Sequence, residues 1–214
     1  MNPEQTVSVI VPARNEELTI GQAVRSLAGQ PEIFEIIVVD DQSADGTASV
    51  LEKLTADVPK LRTIEGGPLP EGWVGKNYAA WQGAQRATGT WLLFTDADAL
   101  HLPGSTGRAL EQAVANGAGM LSVSPAQEMH SWWERAMIPF VYCRLAQLYS
   151  YVAINDPRSP AAAANGQYLL IRRDAYEAIG GHAAVRGDVL EDVALARRAK
   201  DAGLRLLFVL DEGL

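Results

Sequence analysis

The chain has 214 residues, 48% of them hydrophobic and 21% charged, with a formal net charge of −8, which suits one folded domain with a substantial core and excludes a disordered segment. No block of Lys or Arg offsets the acidic charge, so nucleic acid is not expected as a partner, and a bound nucleotide would need local cations or a metal. Cys143 is the only cysteine, which excludes an internal disulfide and a cysteine-built metal site and fits a reducing compartment.

The opening MNPEQTVSV lacks a basic stretch followed by an apolar one, so no secretory signal is read there. VSVIVP (7–12) then predicts a strand, LTIGQAVRSLAGQ (18–30) a helix, and FEIIVV (34–39) a second strand. ASVLEKLTA (48–56), LRTIE (61–65), GKNYAAWQGAQRATG (75–89) and WLLFT (91–95) continue the alternation as helix, strand, helix and strand. Apolar strands without alternation, separated by helical patterns, indicate a mostly parallel sheet covered on both faces. The second half is more mixed. An aromatic helix is expected around Trp132 to Tyr151, a strand in QYLLIRR (167–173), and a helix from Asp174. A further helix runs from Asp192 to Ala202 with Gly203 as its cap, followed by the strand LRLLFVL (204–210). In the Asp192 helix, Leu195, Ala199 and Ala202 fall on one face, which is expected to pack inward. The apolar stretch Ala136–Ile154 is interrupted by Pro139, Arg144 and Gln147. Since roughly 20 mostly apolar residues are needed to span a bilayer, it is not read as a transmembrane helix.

In open sheets of this type ligands sit beyond the carboxyl ends of the strands. Those ends read PARNEE (12–17), DDQSADG (40–46) and DAD (96–98). If Asp96 and Asp98 continue an extended strand, their side chains point the same way. A divalent cation, Mg²⁺ or Mn²⁺, would neutralise both and take its other ligands from phosphate; a helix cap and a solvated side chain are the ordinary alternative. Asp41 is assigned to a ribose or base edge, and Asp45 to the cap of the following helix. Lys76, beside a helix start, suits a diphosphate, although a solvated lysine satisfies the same pattern. Glu191 and Asp192 open a helix whose dipole they stabilise; Asp192 is also placed for a general base, and spacing does not decide between the two. His182 could line an acceptor pocket or be a hydrogen-bonded structural histidine.

Taken in order, VSVIVPARNEE, IIVVDDQSADGT, GKNYAAWQGAQRATGTWLLFTDADA, LIRRDAYEAIGGH and LEDVALARRAKDAG resemble the family 2 inverting glycosyltransferases of the GT-A fold, from Val7 to about Gly203. Within that family, PEGWVGKNYAAWQGA and AINDPRSPAAAANGQYLLIRRDAYEAIGGH look closest to bacterial enzymes of hopanoid, carotenoid or other glycolipid synthesis. The resemblance implies a single α/β domain with a nucleotide-sugar-binding half (1–98) and an acceptor-side half (99–214). It implies a nucleotide-sugar donor, usually a UDP-sugar, and a lipid or glycan acceptor. By it, Pro12 and Glu16 border the nucleoside and Asp41 contacts the base. Asp96 faces the ribose and the metal, Asp98 ligates the metal, and Asp192 is the catalytic base. Lys76 then serves the diphosphate.

Many membrane-bound members carry a Gln-x-x-Arg-Trp segment and transmembrane helices after the catalytic helix. The present sequence ends at Leu214 without them, as expected either of a trimmed fragment or of a short form with an open acceptor side. Trp132, Trp133, Tyr142, Tyr149 and Tyr151 suit a membrane interface, placing the protein in the cytoplasm at the inner face of a bacterial membrane; a helix packed on the sheet is the alternative. Pro139 is expected to break or kink that helix. A sugar-nucleotide pyrophosphorylase would want a glycine-rich loop where PARNEE stands, and a dehydrogenase a G-x-G-x-x-G after Val11. A catalytically idle nucleotide-sugar-binding domain is the non-enzyme alternative.

Overall fold

The computed structural model describes residues 5–127, 129, 131–148 and 150–210; Tyr149, one of the predicted interface aromatics, lies outside them. The first half follows the predicted alternation: β1 (Val7–Ala13), α1 (Ile20–Ala28), β2 (Ile33–Asp40), α2 (Thr47–Asp57), β3 (Leu61–Glu65), α3 (Gly75–Arg86) and β4 (Trp91–Phe94). The second half adds α4 (Ser105–Ala115), β5 (Met120–Ser124), α5 (Trp132–Leu148), α6 (Tyr151–Asn155), β6 (Leu169–Arg172), α7 (Arg173–Ala178), a 3-10 turn at Gly181–Val185, α8 (Glu191–Asp201) and β7 (Leu206–Leu210).

The strands form one sheet in the order β3-β2-β1-β4-β6-β5-β7. The first four are parallel, β6 runs antiparallel between β4 and β5, and β7 returns parallel to β5. Successive strand residues serve opposite faces. Val9, Val11, Ile36, Val38 and Leu93 join one core with α1, α2 and α4. Ile10, Ile37, Val39, Leu92 and Phe94 join the other with α3, α7 and α8. That double burial is why these strands read as continuous apolar runs. β3 is the exception: as an edge strand it leaves Arg62, Thr63 and Glu65 exposed.

Two elements carry weak signals in the sequence and were not expected. α4 follows a left-handed Gly104 and contains Gly107, both poor helix markers. β5, MLSVS, is short and its serines are buried. The α8 face also differs from expectation, with Leu195, Ala196 and Ala199 buried and Ala202 exposed. Beyond Ala202 the chain closes a two-bond cap: Gly203 N–H donates to Lys200 O and Leu204 N–H to Ala199 O, with Gly203 left-handed at φ 72°.

α5 runs through Pro139 as one helix, so the proline does not break it, and its residues from Trp132 to Arg144 are mostly exposed, so this part of it does not take the alternative of packing on the sheet. Trp132 (68% exposed) and Trp133 (60%) stack at 4.1 Å between ring centres. No described helix is long and apolar enough to cross a membrane.

α3 sits low on the sheet because its inner face is small. Ala79, Ala80, Gly83 and Ala84 are buried there; a side chain on Gly83 would come within 2.5 Å of Ile10 Cγ2. This close approach brings the start of α3 over the carboxyl ends of the strands.

Candidate active site

The loops after β1 and β2 are tied to each other. Asn15 N–H donates to Ser43 Oγ (2.9 Å), and Ala44 N–H donates to Asn15 Oδ1 (2.8 Å). Gly46 N–H donates to Glu17 Oε2 (2.7 Å), and Glu16 N–H to Thr47 Oγ1 (2.8 Å). Asn15 and Gln42 adopt positive φ (59° and 57°), the kind of backbone strain that persists where surroundings enforce it. Asp45 does cap α2, but from one residue before the cap position. Its Oδ1 accepts from Thr47 N–H (3.0 Å) and Thr47 Oγ1–H (2.6 Å), while Gly46 occupies the cap.

Of the residues expected at a nucleoside, Asp41 is buried, with Oδ2 3.6 Å from Arg14 Nη1. The same oxygen faces Gly75 at the start of α3, where an added Cβ would lie 3.0 Å from it. Pro12 lines the cleft described below. The Glu16 carboxylate accepts from Thr19 Oγ1–H (2.6 Å), so part of its capacity is spent on the start of α1.

β4 ends at Phe94, two residues short of Asp96, and the DAD segment forms a turn in which Ala99 N–H donates to Asp96 O (3.3 Å). The extended geometry expected of Asp96 and Asp98 is therefore absent. A half-buried Asp96, a buried Ala97 and an exposed Asp98 follow one another around the turn. A buried pair that the sequence does not advertise supports this turn. Thr95 Oγ1–H donates to Gln167 O (2.7 Å), so the same oxygen is left to accept from His101 Nε2 at 3.0 Å. Burial pushes the His101 pKa down to about 4, keeping it neutral.

Lys76 is partly exposed, with 43% of its side chain accessible, but it is not isolated. Its Nζ lies 2.7 Å from Asp96 Oδ1 and 3.4 Å from Glu191 Oε1, linking the β4 turn to the start of α8. Burial lowers the pKa of such an ammonium, but Asp96 and then Glu191 outweigh it and leave Lys76 above its ordinary value. Asn77, fully buried, explains why α3 and α8 meet here. Its Nδ2 donates to Val185 O (3.0 Å), Arg186 O (3.3 Å) and Asp188 O (2.9 Å), bolting the start of α3 to the segment before α8. As one polar residue in a helical pattern, it carried no signal of this role.

Asp192 is fixed by two backbone donors, Gly166 N–H to Oδ2 (2.9 Å) and Val193 N–H to Oδ1 (2.7 Å). Burial raises its pKa more than these bonds and Lys76 lower it. Glu191 is raised as well, by burial foremost and by the neighbouring Asp192. Lys76, Glu191, Asp192, Gly166, Pro12, Thr95 and His182 line one cleft at the strand ends. Two carboxylates of raised pKa beside a cation in a cleft form the kind of arrangement that serves proton transfer.

The donor chemistry of the β4 turn fits a divalent cation: Asp96 and Asp98 offer hard carboxylate oxygens, and Asp98 is exposed. Among the described residues no group of three or more His, Cys, Asp or Glu could hold a metal by itself. A cation here would complete its shell with substrate oxygens and water, as Mg²⁺ and Mn²⁺ sites often do.

A mostly parallel sheet with one inserted antiparallel strand, and acidic loops at its carboxyl edge, is the architecture of the GT-A fold. The profile of the family described as glycosyl transferase family 2 matches residues 8–180, and the chain belongs to that family. Among characterised relatives, the 4,4'-diaponeurosporenoate glycosyltransferase of Staphylococcus haemolyticus is 27% identical over 198 residues, covering 90% of this chain and 51% of the relative. The Staphylococcus aureus protein of that name (strain MRSA252) is 29% identical over 193 residues, covering 89% and 50%. The chain thus spans about half the length of these relatives. Among solved structures, the mannosyltransferase PcManGT of Pyrobaculum calidifontis, in complex with GDP-Man and Mn²⁺, superposes with a TM-score of 0.75 at 24% identity, over 98% of this chain and 56% of that one. The glucosyl-3-phosphoglycerate synthase of Mycobacterium tuberculosis with Mn²⁺ and UDP-glucose gives 0.63 at 18% identity, over 96% and 69%.

Proposed function

We propose that this chain is the donor-binding and catalytic domain (1–214) of an inverting glycosyltransferase. It would move a sugar from a nucleotide-sugar, by preference a UDP-sugar, to a hydroxyl of a lipid or polyprenoid-like acceptor. The observation that carries this reading is the cleft itself, where Lys76 joins the β4 turn to Glu191 within the same lining as Asp192. Support for the donor comes from related folds solved with UDP-glucose and GDP-Man. The relatives named for a carotenoid acid support the acceptor class.

In this reading Pro12, Glu16 and Asp41 receive the nucleoside beyond β1 and β2. Asp96 and Asp98 would hold Mn²⁺ or Mg²⁺, which supplies charge neutralisation to the departing diphosphate. Lys76 contributes a second positive charge, already aimed at the site by Asp96 and Glu191. Asp192 accepts the proton of the attacking hydroxyl. Its raised pKa strengthens it as a base, and its two backbone donors hold the carboxylate while the proton arrives. Attack from the face opposite the diphosphate inverts the anomeric centre. The exposed Trp132–Trp133 end of α5 supports peripheral association with the inner face of a bacterial membrane.

Calorimetry with UDP tests the donor assignment. Binding in the presence of Mn²⁺ should weaken on the order of tenfold, about 1.4 kcal/mol, with EDTA or in Asp98→Ala. Binding indifferent to both removes the metal from the mechanism.

A further inference from the structure

His182 enters none of the steps above, yet it lines the same cleft as Lys76, Glu191 and Asp192. His182 is 3% exposed, and its ring packs on Phe94 with centres 4.6 Å apart. Gly180 and Gly181 place it there. Both are left-handed (φ 82° and 51°), and a side chain on Gly181 would collide with the Tyr176 ring, so the turn presses the His182 backbone against the Tyr176 hydroxyl.

That contact fixes the proton positions. The His182 backbone N–H has only a hydrogen to give, and it gives it to the Tyr176 oxygen at 3.0 Å. The same hydroxyl lies 2.9 Å from His182 Nδ1. The phenol oxygen could accept twice, but its own buried hydrogen also needs an acceptor, and among the described residues Nδ1 is the one within hydrogen-bond distance; the arrangement that satisfies both groups leaves Nδ1 unprotonated. Burial raises the Tyr176 pKa, so that hydrogen stays. A neutral imidazole carries its one hydrogen on the other nitrogen. Burial, with Lys76 adding to it, pushes the His182 pKa down to about 3, so the ring stays neutral throughout the working range. The described residues offer Nε2–H no partner: the hydrogen bonds of the ring and the backbone both go to Tyr176.

The cleft beside it is narrow, about 10 Å³, the room of one water or one hydroxyl group. A Cβ on Gly166 would lie 3.3 Å from Lys76 Nζ, 3.6 Å from Glu191 Oε1 and 3.7 Å from Asp192 Oδ2. Gly166 has no positive φ that would require a glycine, so what the missing side chain provides is room among those three charges. Between a cation for the diphosphate and a base for the acceptor is where the transferred residue has to lie.

We infer that His182, locked by Tyr176 as the Nε2–H tautomer, is a specificity-determining hydrogen-bond donor to a hydroxyl of the transferred sugar. The inference rests on the glycosyltransferase reading above and adds to it a residue that recognises the sugar and not the nucleotide. A neutral donor at this position selects a sugar oxygen without adding a second fixed charge beside Lys76, and it leaves Asp192 as the group that takes the proton.

The test compares UDP with UDP-glucose, and GDP with GDP-mannose, by calorimetry in Mn²⁺ on the wild type, His182→Phe and Tyr176→Phe. His182→Phe keeps an aromatic ring against Phe94, and its thermal unfolding is measured beside the parent to confirm the fold. The expected result is nucleotide affinity unchanged in His182→Phe, with nucleotide-sugar affinity reduced by about tenfold, the size of one lost hydrogen bond. Tyr176→Phe, which frees the tautomer while leaving the imidazole, should fall between the two. An unchanged ratio of nucleotide-sugar to nucleotide affinity in His182→Phe overturns the inference and leaves the proposed function standing. A wild type that binds none of the four ligands overturns the proposed function, and the inference with it.

Discussion

Two acidic clusters sit at opposite ends of the same sheet, and they are built on opposite terms. At the amino end of the parallel strands, Glu35 of β2 is 5% exposed and fully engaged. Ser8 Oγ–H (2.7 Å), Thr88 N–H (2.7 Å) and Thr88 Oγ1–H (2.6 Å) all donate to Oε1, and Arg62 Nη1 lies 2.9 Å from Oε2. Burial alone would raise its pKa, but those donors outweigh it and the group titrates below the ordinary glutamate value. At the carboxyl end, Asp192 and Glu191 are also withdrawn from water, yet their partners do not match the cost, and both titrate above their ordinary values. An acid whose donors outweigh the cost of its burial holds a structure together; one whose donors fall short of that cost is held ready for a proton. Burial by itself does not separate the two. The balance of donors does.

The largest effect expected from this contrast is catalytic. Asp192→Asn should lower transfer by about 10²- to 10⁴-fold, the usual worth of a general base, in a form of the enzyme assayed with its acceptor. UDP affinity should stay within about twofold, because the base does not hold the donor. Transfer at the parent rate would reassign Asp192 to helix capping. Stability should respond in the reverse order. Glu35→Ala leaves the buried Ser8 and Thr88 donors without an acceptor and is expected to cost about 3 kcal/mol in denaturant unfolding, while UDP binding by the folded fraction is unchanged.

The same pair differs in sign with pH. The Glu35 pKa lies below its unfolded value of 4.5, so its contribution is present above that range and is lost as pH falls through it to the folded pKa. Asp192 and Glu191 lie above theirs: the folded protein binds their protons more tightly, and acidification through that range favours folding at these two groups. Unfolding measured from neutral pH to below 4 should therefore show a shallower acid loss in Glu35→Ala and a steeper one in Asp192→Asn. Equal slopes would mean that neither shift belongs to these residues.

The smallest expected effect concerns α5, where apolar surface, not a carboxylate, lacks partners. Co-sedimentation with anionic liposomes should be modest, opposed by the net charge of −8, reduced by salt, and weaker still in Trp132→Ala/Trp133→Ala. Equal and negligible sedimentation of both proteins would remove the lipid assignment of this helix.

The first half of the fold was legible because its strands are buried on both faces and its helices are amphipathic, so periodicity and burial agree in each element. α4 and β5 were not, since a helix opened by glycines and a strand with buried serines take their stability from neighbours distant in sequence. The site shows the same division. Acidic strand ends marked where to look, but the placement of Asp96 and Asp98 in a turn depends on where β4 stops. Lys76 gains its role from Asp96 and Glu191, 20 and 115 positions further along the chain, and that meeting depends on Asn77 reaching the carbonyls of Val185, Arg186 and Asp188. The His182 tautomer is further from view still, because it follows from a phenol satisfying two neighbours at once.

The position of β6 has a mechanical consequence. Its residues hydrogen-bond to β4 on one side and β5 on the other, so the strands that carry the donor loops and those of the second half belong to one uninterrupted plate. A plate has no hinge line along which the halves could swing together over a substrate. Any closure over a ligand would then fall to the rim, where the 66–74 stretch precedes α3 and the 156–168 stretch carries Gly166 past the cleft. The domain is then less a pair of jaws than a fixed anvil.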